Sequence, residues 1–514
     1  CHWHHARFDL ASGGTFDQFA GDVRTFPVQV RQGEVWVDLA PHADPRAHHR
    51  ARLGDGLERN IPLVLGKAVI ALLESGEDPA VPFRVGLDFG TRYRLEGWGQ
   101  GLTILTSMMN LVPALDPDDR ARALYHGLSA VARDCDGQPP RFGLRPLPML
   151  AADAATLGRW FRRFVEVRDA EGAERCIVSA VRAGADHRQL AGMLFAAATD
   201  HRYIQTGHVL DFTNKAFEAL DAAGWEHAES VLTSLVPGYA AADRMEESNE
   251  WRHPVDLVGI LERAFDALPE ALREGRDRHG PWGGQEELVP VLLGEDPQGI
   301  ADALLDALRG GCPEAALATT VSYAAALRIA HFPTTNEFGD WDTALHTFTF
   351  ANAVHQGLRR APSVELLRGV FDAAMSVHLD RFLNVPPAHL PEARASEDPP
   401  AILGGLPALL DRQQQVNEAA AHVARYLHSG GDPARLLAAL GGLLLREDRD
   451  FHTIQTIEGA FRLFSHLRRT PAAPNVLVAA ARYLAAHAPT VRAQGQTFQI
   501  AHRLHRGERL FEAS

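Results

Sequence analysis

The feature of this chain that most restricts its fold is a glycine that recurs at the end of apolar helical stretches. Beyond residue 46, apolar residues follow a period of 3.6, and alanine and leucine dominate. Four stretches end in glycine with aspartate or proline close behind, at Gly76, Gly184, Gly311 and Gly430. Glycine ends a helix in the left-handed conformation, and Asp or Pro starts the next one. Because these glycines lie 108, 127 and 119 residues apart, they predict about four copies of one helical unit.

The predicted fold class is therefore mainly α, a multi-helical repeat. A helical repeat domain is expected over residues 47–514, after a polar, proline-bearing linker over residues 41–46. One unit cannot bury its apolar face without a neighbour, so the copies should pack against one another. The copies are expected near residues 50–135, 160–240, 288–380 and 415–490.

Histidine recurs at the start of the third helix of the copies. His208, His346 and His452 occupy the same register in three of the four copies. The first copy has Gly101 there, which should leave one side of a shared cavity open to substrate. If the copies surround a common axis, the three histidines converge on one cavity. Neutral imidazole is the commonest protein ligand for iron, copper and zinc, so this register predicts a metal or catalytic site.

Asp211 and several large apolar side chains are expected to complete this site. Asp211 follows His208 by three residues, on the same helix face. A carboxylate beside histidines is the donor set of non-haem Fe(II) oxygenases, so a mononuclear non-haem iron is expected. The alternative is that each histidine caps a helix or packs against a neighbouring copy. The expected apolar wall consists of Trp98, Met108, Phe212, Phe348 and Phe350.

One further pair has metal-ligand spacing. Glu250 and His253 form a Glu-x-x-His sequence, which is the di-iron spacing of helical bundles. That architecture needs a second such pair, and the sequence contains none. A solvated loop is therefore the favoured interpretation, with Trp251 to His253 at a substrate entrance as the alternative.

The N-terminal forty residues have a different pattern. Residues 26–31 and 35–39 alternate apolar and polar side chains around a turn at Gln32-Gly33-Glu34, which predicts a β-hairpin. Ahead of it, Cys1 and His4 form a Cys-x-x-His sequence. A thiolate and an imidazole three residues apart on a loop can both reach one metal centre.

This segment resembles the second half of a Rieske [2Fe–2S] domain. The resemblance implies that Cys1 binds one iron of a [2Fe–2S] cluster and His4 the other, because two histidines replace two cysteines on one iron. Residues 1–40 are therefore expected to be a partial Rieske domain, a small N-terminal β remnant. The resemblance covers Cys1 to about Leu39 and includes the Phe8-Asp9 pair, the Gly13-Gly14 turn and the hairpin.

The segment also departs from the Rieske pattern. His2 and His5 stand where the family usually has proline and glycine. The family's other ligand pair, a Cys-x-His sequence, would precede Cys1, so the chain as given is expected to hold half of a cluster site. The alternative is a chance Cys-x-x-His in a surface hairpin.

Two short stretches carry a second resemblance. The stretches from His201 to Phe212 and from Trp341 to Thr349 are similar to the all-helical questin oxidase-like family. That resemblance implies Baeyer–Villiger-type oxidation of polycyclic aromatic ketones. An aromatic or polyketide-like small-molecule substrate is therefore expected.

Composition excludes several classes of partner. The formal net charge is −14 and no run of Lys and Arg occurs, so nucleic acid is not an expected partner. No apolar stretch is long enough for a membrane span, which takes about 18 residues or more. Four cysteines in 514 residues are too few for a disulfide scaffold, which indicates a cytoplasmic protein.

Two functions are consistent with these features. The first is a Rieske-type iron–sulfur oxidoreductase, whose cluster takes electrons from a donor protein or reductase and relays them to a substrate-oxidising site in the helical domain. The second is a helical-repeat binding protein, with a redox-sensing or electron-transfer Rieske module and no catalysis of its own. An iron in addition to the cluster iron would support the oxidoreductase, whereas cluster iron alone would support the binding protein. A chain without any metal is the third possibility.

Overall fold

The computed structural model describes most of the chain. Within the described residues the fold is mainly helical, with one two-stranded antiparallel sheet near the N-terminus. This confirms the predicted fold class at the level of a helical protein with a small β element. The described residues are 6–10, 12–17, 22–39, 45–148, 152–278, 282–392, 398–508 and 510.

The sheet is the hairpin that the alternating residues predict. Strand β1 (Val28–Arg31) pairs with β2 (Glu34–Val37) in antiparallel register. The turn between them has positive φ at both Gln32 and Gly33, as a type I′ turn requires. Apolar side chains of both strands are exposed, including Trp36 at 57%. The hairpin therefore stands outside the helical core.

Helices occupy the chain from Pro45 onward. The first begins inside the linker predicted over residues 41–46, because proline is well suited to the first helical turn; residues 41–44 lie outside the described residues. The helices of the first half are α1 (Pro45–Glu58), α2 (Pro62–Glu74), α3 (Ala80–Arg92), α4 (Gln100–Leu111), α5 (Pro117–Cys135), α6 (Ala154–Glu166), α7 (Ala170–Arg182), α8 (His187–Ala198), α9 (His208–Ala223), α10 (Ala228–Thr233), α11 (Val236–Ala241) and α12 (Asn249–Arg252).

The second half continues in the same way. None of the described helices, in either half, is long and apolar enough to cross a membrane. The remaining helices are α13 (Leu257–Gly275), α14 (Gln285–Leu292), α15 (Pro297–Arg309), α16 (Glu314–Ala330), α17 (Phe338–Arg360), α18 (Val364–Leu379), α19 (Pro399–Leu410), α20 (Val416–His428), α21 (Pro433–Leu445), α22 (Phe451–Leu467), α23 (Ala473–Ala486) and α24 (Ala493–His505).

The four recurring glycines each end a helix as predicted. Gly76, Gly184, Gly311 and Gly430 have φ of 76°, 79°, 89° and 77°. They follow α2, α7, α15 and α20, and a new helix begins within four residues of each. Only glycine adopts this left-handed conformation without a steric cost, which is why the sequence marks these helix ends so clearly.

Four helices contact one another in a closed ring. Helix α4 packs against α9 and α22, and α17 packs against the same two helices from the other side. These are the helices on which the sequence places Gly101 and the three recurring histidines. Polar side chains cross the interior of this ring: Asn110 on α4, for example, donates to Glu218 on α9 (2.8 Å) and to Glu458 on α22 (3.1 Å).

The segment before the hairpin is attached to α1 and α2. Lys67 on α2 forms an ion pair with Asp22 and donates to the Thr15 hydroxyl at 2.9 Å. Arg52 on α1 donates to the carbonyl of Thr15 at 3.3 Å. Because Lys67 is buried, removing the Asp22 carboxylate would leave its ammonium without the counter-charge that it contacts.

Candidate metal centre

A strained turn positions the first of the three histidines. The turn Ile204–Gly207 leads directly into α9, whose first residue is His208. Tyr203, Gln205 and Thr206 have φ of 44°, 51° and 53°, a left-handed conformation that costs free energy for residues other than glycine. The turn brings the Gln205 carbonyl to His208, whose Nδ1 donates to it at 3.0 Å.

Gly207 closes this turn because no side chain fits there. Its φ is 86°, and a Cβ at this position would lie 2.9 Å from both Phe350 Cβ and Tyr203 Cε2. The close approach of α17 to the turn therefore depends on this glycine. It fixes the start of α9 relative to the helix that carries the second histidine.

The structure brings His208, His346 and His452 together, one from each of α9, α17 and α22. Their ring centroids lie 4.6 to 5.9 Å apart, and one nitrogen from each ring lies within 4.8 Å of the others. A tetrahedral ion bound at about 2.0 Å holds its ligand nitrogens about 3.3 Å apart. Side-chain rotations that move each nitrogen by roughly 1 Å would therefore bring the three imidazoles to metal-binding distance.

Backbone carbonyls orient two of the three imidazoles. Nδ1 of His346 donates to the Asp342 carbonyl at 2.6 Å, as Nδ1 of His208 does to Gln205. Nε2 of His208 and Nε2 of His452 are buried and have no hydrogen-bond partner. Histidines that bind metals characteristically donate their second ring nitrogen to a carbonyl or carboxylate, which fixes the tautomer and turns the other nitrogen to the ion.

Burial keeps the triad neutral. It lowers the pKa of His208 to about 3, with His346 and His452 adding to the shift. It also lowers the pKa of His452 to about 4, again helped by His346, and lowers the pKa of His346. Three imidazoles this close would repel one another if charged, so the neutral, metal-binding form dominates at neutral pH.

Asp211 does not join this group. Its carboxylate accepts a hydrogen bond from Gln455 Nε2 at 2.7 Å, one helical turn below the triad. Burial raises the pKa of Asp211 to about 7, against the nearby positive charge of Lys215. In the part of the chain that the structure describes, the potential metal ligands at this centre are thus three histidines, without the carboxylate expected from the sequence.

A layer of buried charges lies beneath Asp211. Lys215 donates to Glu218 at 3.0 Å and forms an ion pair with Glu458, and Arg462 forms ion pairs with both carboxylates. Burial alone would raise the pKa of Glu218, but the positive charges of Lys215 and Arg462 lower it to about 2. This layer joins α9 to α22 and was not predicted from the sequence.

A large cavity reaches the triad at His346. Its volume is about 610 Å³, within the range of about 300–1,000 Å³ typical of small-molecule sites. Tyr203, Trp251 and Phe382 give it aromatic surface, and Asp380 lies on its wall. Glu250 and His253 also line it. Both residues are exposed, as expected of a solvated segment, and with Trp251 they also lie beside this cavity.

A smaller cavity of about 140 Å³ reaches the triad at His208. Of the five apolar residues expected to form a wall, Trp98 and Phe212 line this smaller cavity. The other three are packed against neighbouring helices and line neither cavity, which corrects the expectation for them: Met108, Phe348 and Phe350 are 0–1% exposed.

Gly101 does not leave the triad open, which corrects a further expectation. A Cβ at Gly101 would lie 2.8 Å from the Ala130 carbonyl oxygen and 2.9 Å from Val131 Cα, both on α5. The glycine therefore allows α4 and α5 to pack closely. Histidine is missing from the first copy because there is no room for a side chain at this position.

Cys1 and His4 lie outside the described residues, so the structure provides no geometry for the predicted cluster ligands. The three described cysteines, Cys135, Cys176 and Cys312, are free and buried. Burial raises the pKa of each thiol to about 12. Within the described residues, no cysteine belongs to a group that could hold a metal.

Several residues of the site were missed by sequence reasoning. The buried charges of Lys215 and Glu218 share a helix face with His208 and the predicted Asp211, at seven and ten residues from His208. A polar face on an otherwise apolar, buried helix is a signal that could have revealed this layer. The backbone carbonyls that orient the imidazoles carry no such signal, because any residue can supply a carbonyl.

Three neutral imidazoles from three helices form a ligand set that can hold a catalytic metal with at least one position open. Iron, copper and zinc all accept imidazole ligands. Comparisons with known proteins gave no match to a family model, to a curated protein or to a solved structure.

Proposed function

We propose that this protein is an oxidoreductase in which His208, His346 and His452 hold a mononuclear non-haem iron. The observation that carries the proposal is the partly buried triad, with two buried Nε2 atoms that have no hydrogen-bond partner. Polar atoms buried without a partner cost about 1–3 kcal/mol each. A bound cation would remove that cost at both nitrogens, and the two belong to the three imidazoles that could share one ion.

The electrons would come from a [2Fe–2S] cluster bound through Cys1 and His4. This part of the proposal rests on the resemblance of residues 1–40 to a partial Rieske domain, since Rieske clusters transfer one electron at a time. An electron-donor protein or reductase would reduce the cluster. The attachment of the N-terminal segment to α1 and α2, through Asp22 and Thr15, would hold the cluster beside the helical domain.

We further propose that α4, α9, α17 and α22 are equivalent helices of four related units. The four left-handed glycines and the closed ring of these helices support this interpretation. Equivalent helices would bring equivalent residues to the centre of the ring, which accounts for the meeting of three histidines from distant parts of the chain.

The cavity at His346 would bind the organic substrate. Its volume and aromatic surface suit a flat aromatic or polyketide-like ketone. Asp380 is buried, and burial raises its pKa to about 7. A carboxyl group that is protonated near neutral pH can donate a hydrogen bond, so Asp380 would be able to bind a substrate carbonyl.

The overall reaction balances with these components. Insertion of one oxygen atom from dioxygen, as in the conversion of a ketone to an ester, uses two electrons and two protons and releases the second oxygen atom as water. Because the cluster passes single electrons, two transfers from the donor are needed in each turnover.

Iron content tests this proposal. The complete protein, with the second ligand pair that the Rieske resemblance implies, should contain an iron in addition to the cluster when it is prepared without oxygen. His208→Ala/His346→Ala should lose that iron, because a site with one remaining imidazole binds iron weakly. Cys1→Ser should abolish the Rieske electron paramagnetic resonance signal of the reduced protein while keeping the additional iron.

A matched control removes two other buried histidines. His126 and His355 also have pKa values lowered to about 3 by burial, and neither belongs to the triad. His126→Ala/His355→Ala should therefore keep the additional iron. Cluster iron alone, unchanged in the triad variant, would contradict the proposal and favour a helical-repeat binding protein with a redox module.

A further inference from the structure

The two cavities reach the triad at different histidines. His346 lines the large cavity, together with Thr206, and His208 lines the small one, together with Gln205. The strained turn between Tyr203 and Gly207 therefore presents neighbouring residues to different cavities. A metal in the triad would be accessible from two separate directions.

The small cavity is mostly apolar, and the Trp98 and Tyr239 side chains that line it already have hydrogen-bond partners. Trp98 Nε1 donates to Thr103 at 2.9 Å. The Tyr239 hydroxyl donates to the Leu194 carbonyl at 2.9 Å and also bonds to Thr213. A buried water needs two to four polar partners, and beside these groups the unpartnered Nε2 of His208 is a single one.

The cavity opens to the surface between two small residues. Gly238 and Ala241, both on α11, line it and are exposed. A Cβ at Gly238 would meet no atom within 4 Å. The space beside Gly238 is therefore unobstructed, and a larger side chain there has room to extend over the opening.

The volumes of the two cavities determine which molecules each can hold. The large cavity has about 610 Å³ and the small one about 140 Å³. An apolar cavity of about 150 Å³ stays dry and binds xenon or benzene. A polycyclic substrate is too large for the small cavity, whereas a diatomic gas fits it easily.

We infer that the small cavity binds dioxygen and conducts it to the His208 side of the metal, while the organic substrate approaches from the His346 side. The inference rests on the proposed function, because it assigns the second substrate of the same site. Separate access would allow dioxygen to reach the metal after the larger cavity has been filled by the organic substrate.

Xenon provides a direct test of the cavity. Crystals of the protein pressurised with xenon should show a xenon atom beside Trp98 and Phe212, and Gly238→Phe should remove it by filling the opening. Ala241→Phe is a second variant with the same expectation. Gly404→Phe is the control, because Gly404 is also an exposed helical glycine with no atom within 4 Å of its Cβ position; it should keep the xenon.

Nitric oxide tests conduction to the metal. In Fe(II)-loaded protein, nitric oxide should bind about tenfold more slowly in Gly238→Phe than in the wild type or in Gly404→Phe, because access is restricted. An empty or water-filled cavity under xenon, or an unchanged nitric oxide rate, would overturn the inference. Xenon binding requires no metal, so failure of the triad to bind iron would be recognised separately as failure of the proposed function.

Discussion

Replacement of Lys215 by methionine is expected to lower the free energy of unfolding by about 3–5 kcal/mol. The ammonium group is 1% exposed and lies between Glu218 and Glu458. Methionine has a similar length and leaves two buried carboxylates with Arg462 as their remaining cation. The loss comes mainly from the uncompensated carboxylate charge, since a buried ion without its partner is far more costly than an apolar side chain of the same shape.

Urea unfolding followed by circular dichroism would measure this change. The control is Arg182→Met, which breaks the exposed ion pair between Arg182 and Glu229 and should change the free energy of unfolding by less than about 1 kcal/mol. Adding Glu458→Gln to Lys215→Met should recover part of the stability, because it removes one of the two charges. A loss in Lys215→Met no larger than that of the control would show that the charged layer does not hold α9 and α22 together.

Metal binding by the triad should be almost independent of pH in the mildly acidic range. Protons compete with a metal for imidazole only near or below the imidazole pKa. Burial lowers the pKa of His208 to about 3 and that of His452 to about 4, and it also lowers the pKa of His346. The folded, metal-free site therefore remains neutral well below the usual histidine pKa of about 6.5.

The contrast with ordinary histidines is large. Three imidazoles with a pKa of about 6.5 would each be about nine-tenths protonated at about pH 5.5, which would weaken metal binding about a thousandfold relative to about pH 7.5. For the triad we expect a far smaller change over that range, measured by competition with a chromogenic chelator. A thousandfold loss with the helical circular dichroism intact would mean that the histidines are exposed to solvent rather than buried.

Sequence patterns that span only a few neighbouring residues predicted much of the fold. Gly76, Gly184, Gly311 and Gly430 mark helix ends because a left-handed residue is needed there, and this requirement is visible in the sequence itself. The hairpin was predictable for the same reason, from its alternation and its two-residue turn. The common register of the histidines indicated which residues would meet, although not how closely.

The remaining features depend on contacts between distant segments. Gly101 and the histidines share a register, yet Gly101 faces α5, because the close packing of α4 on α5 leaves no room for a side chain. Asp211 follows His208 by one turn, but its carboxylate is bonded by Gln455 from another helix. The cavities are bounded by a strained turn and by residues 245–257, whose positions follow from packing that no local pattern reveals.

Titration of the metal-free protein with Co²⁺ tests the central claim, that the triad is a metal site, most directly. Cobalt accepts the same imidazole ligands as iron and zinc, and it reports its coordination through visible absorption. The triad predicts an absorption band that saturates at one Co²⁺ per chain, is retained in His126→Ala/His355→Ala, and is absent in His208→Ala/His346→Ala. A wild-type protein without that band, or a band of equal strength in the triad variant, would contradict the claim.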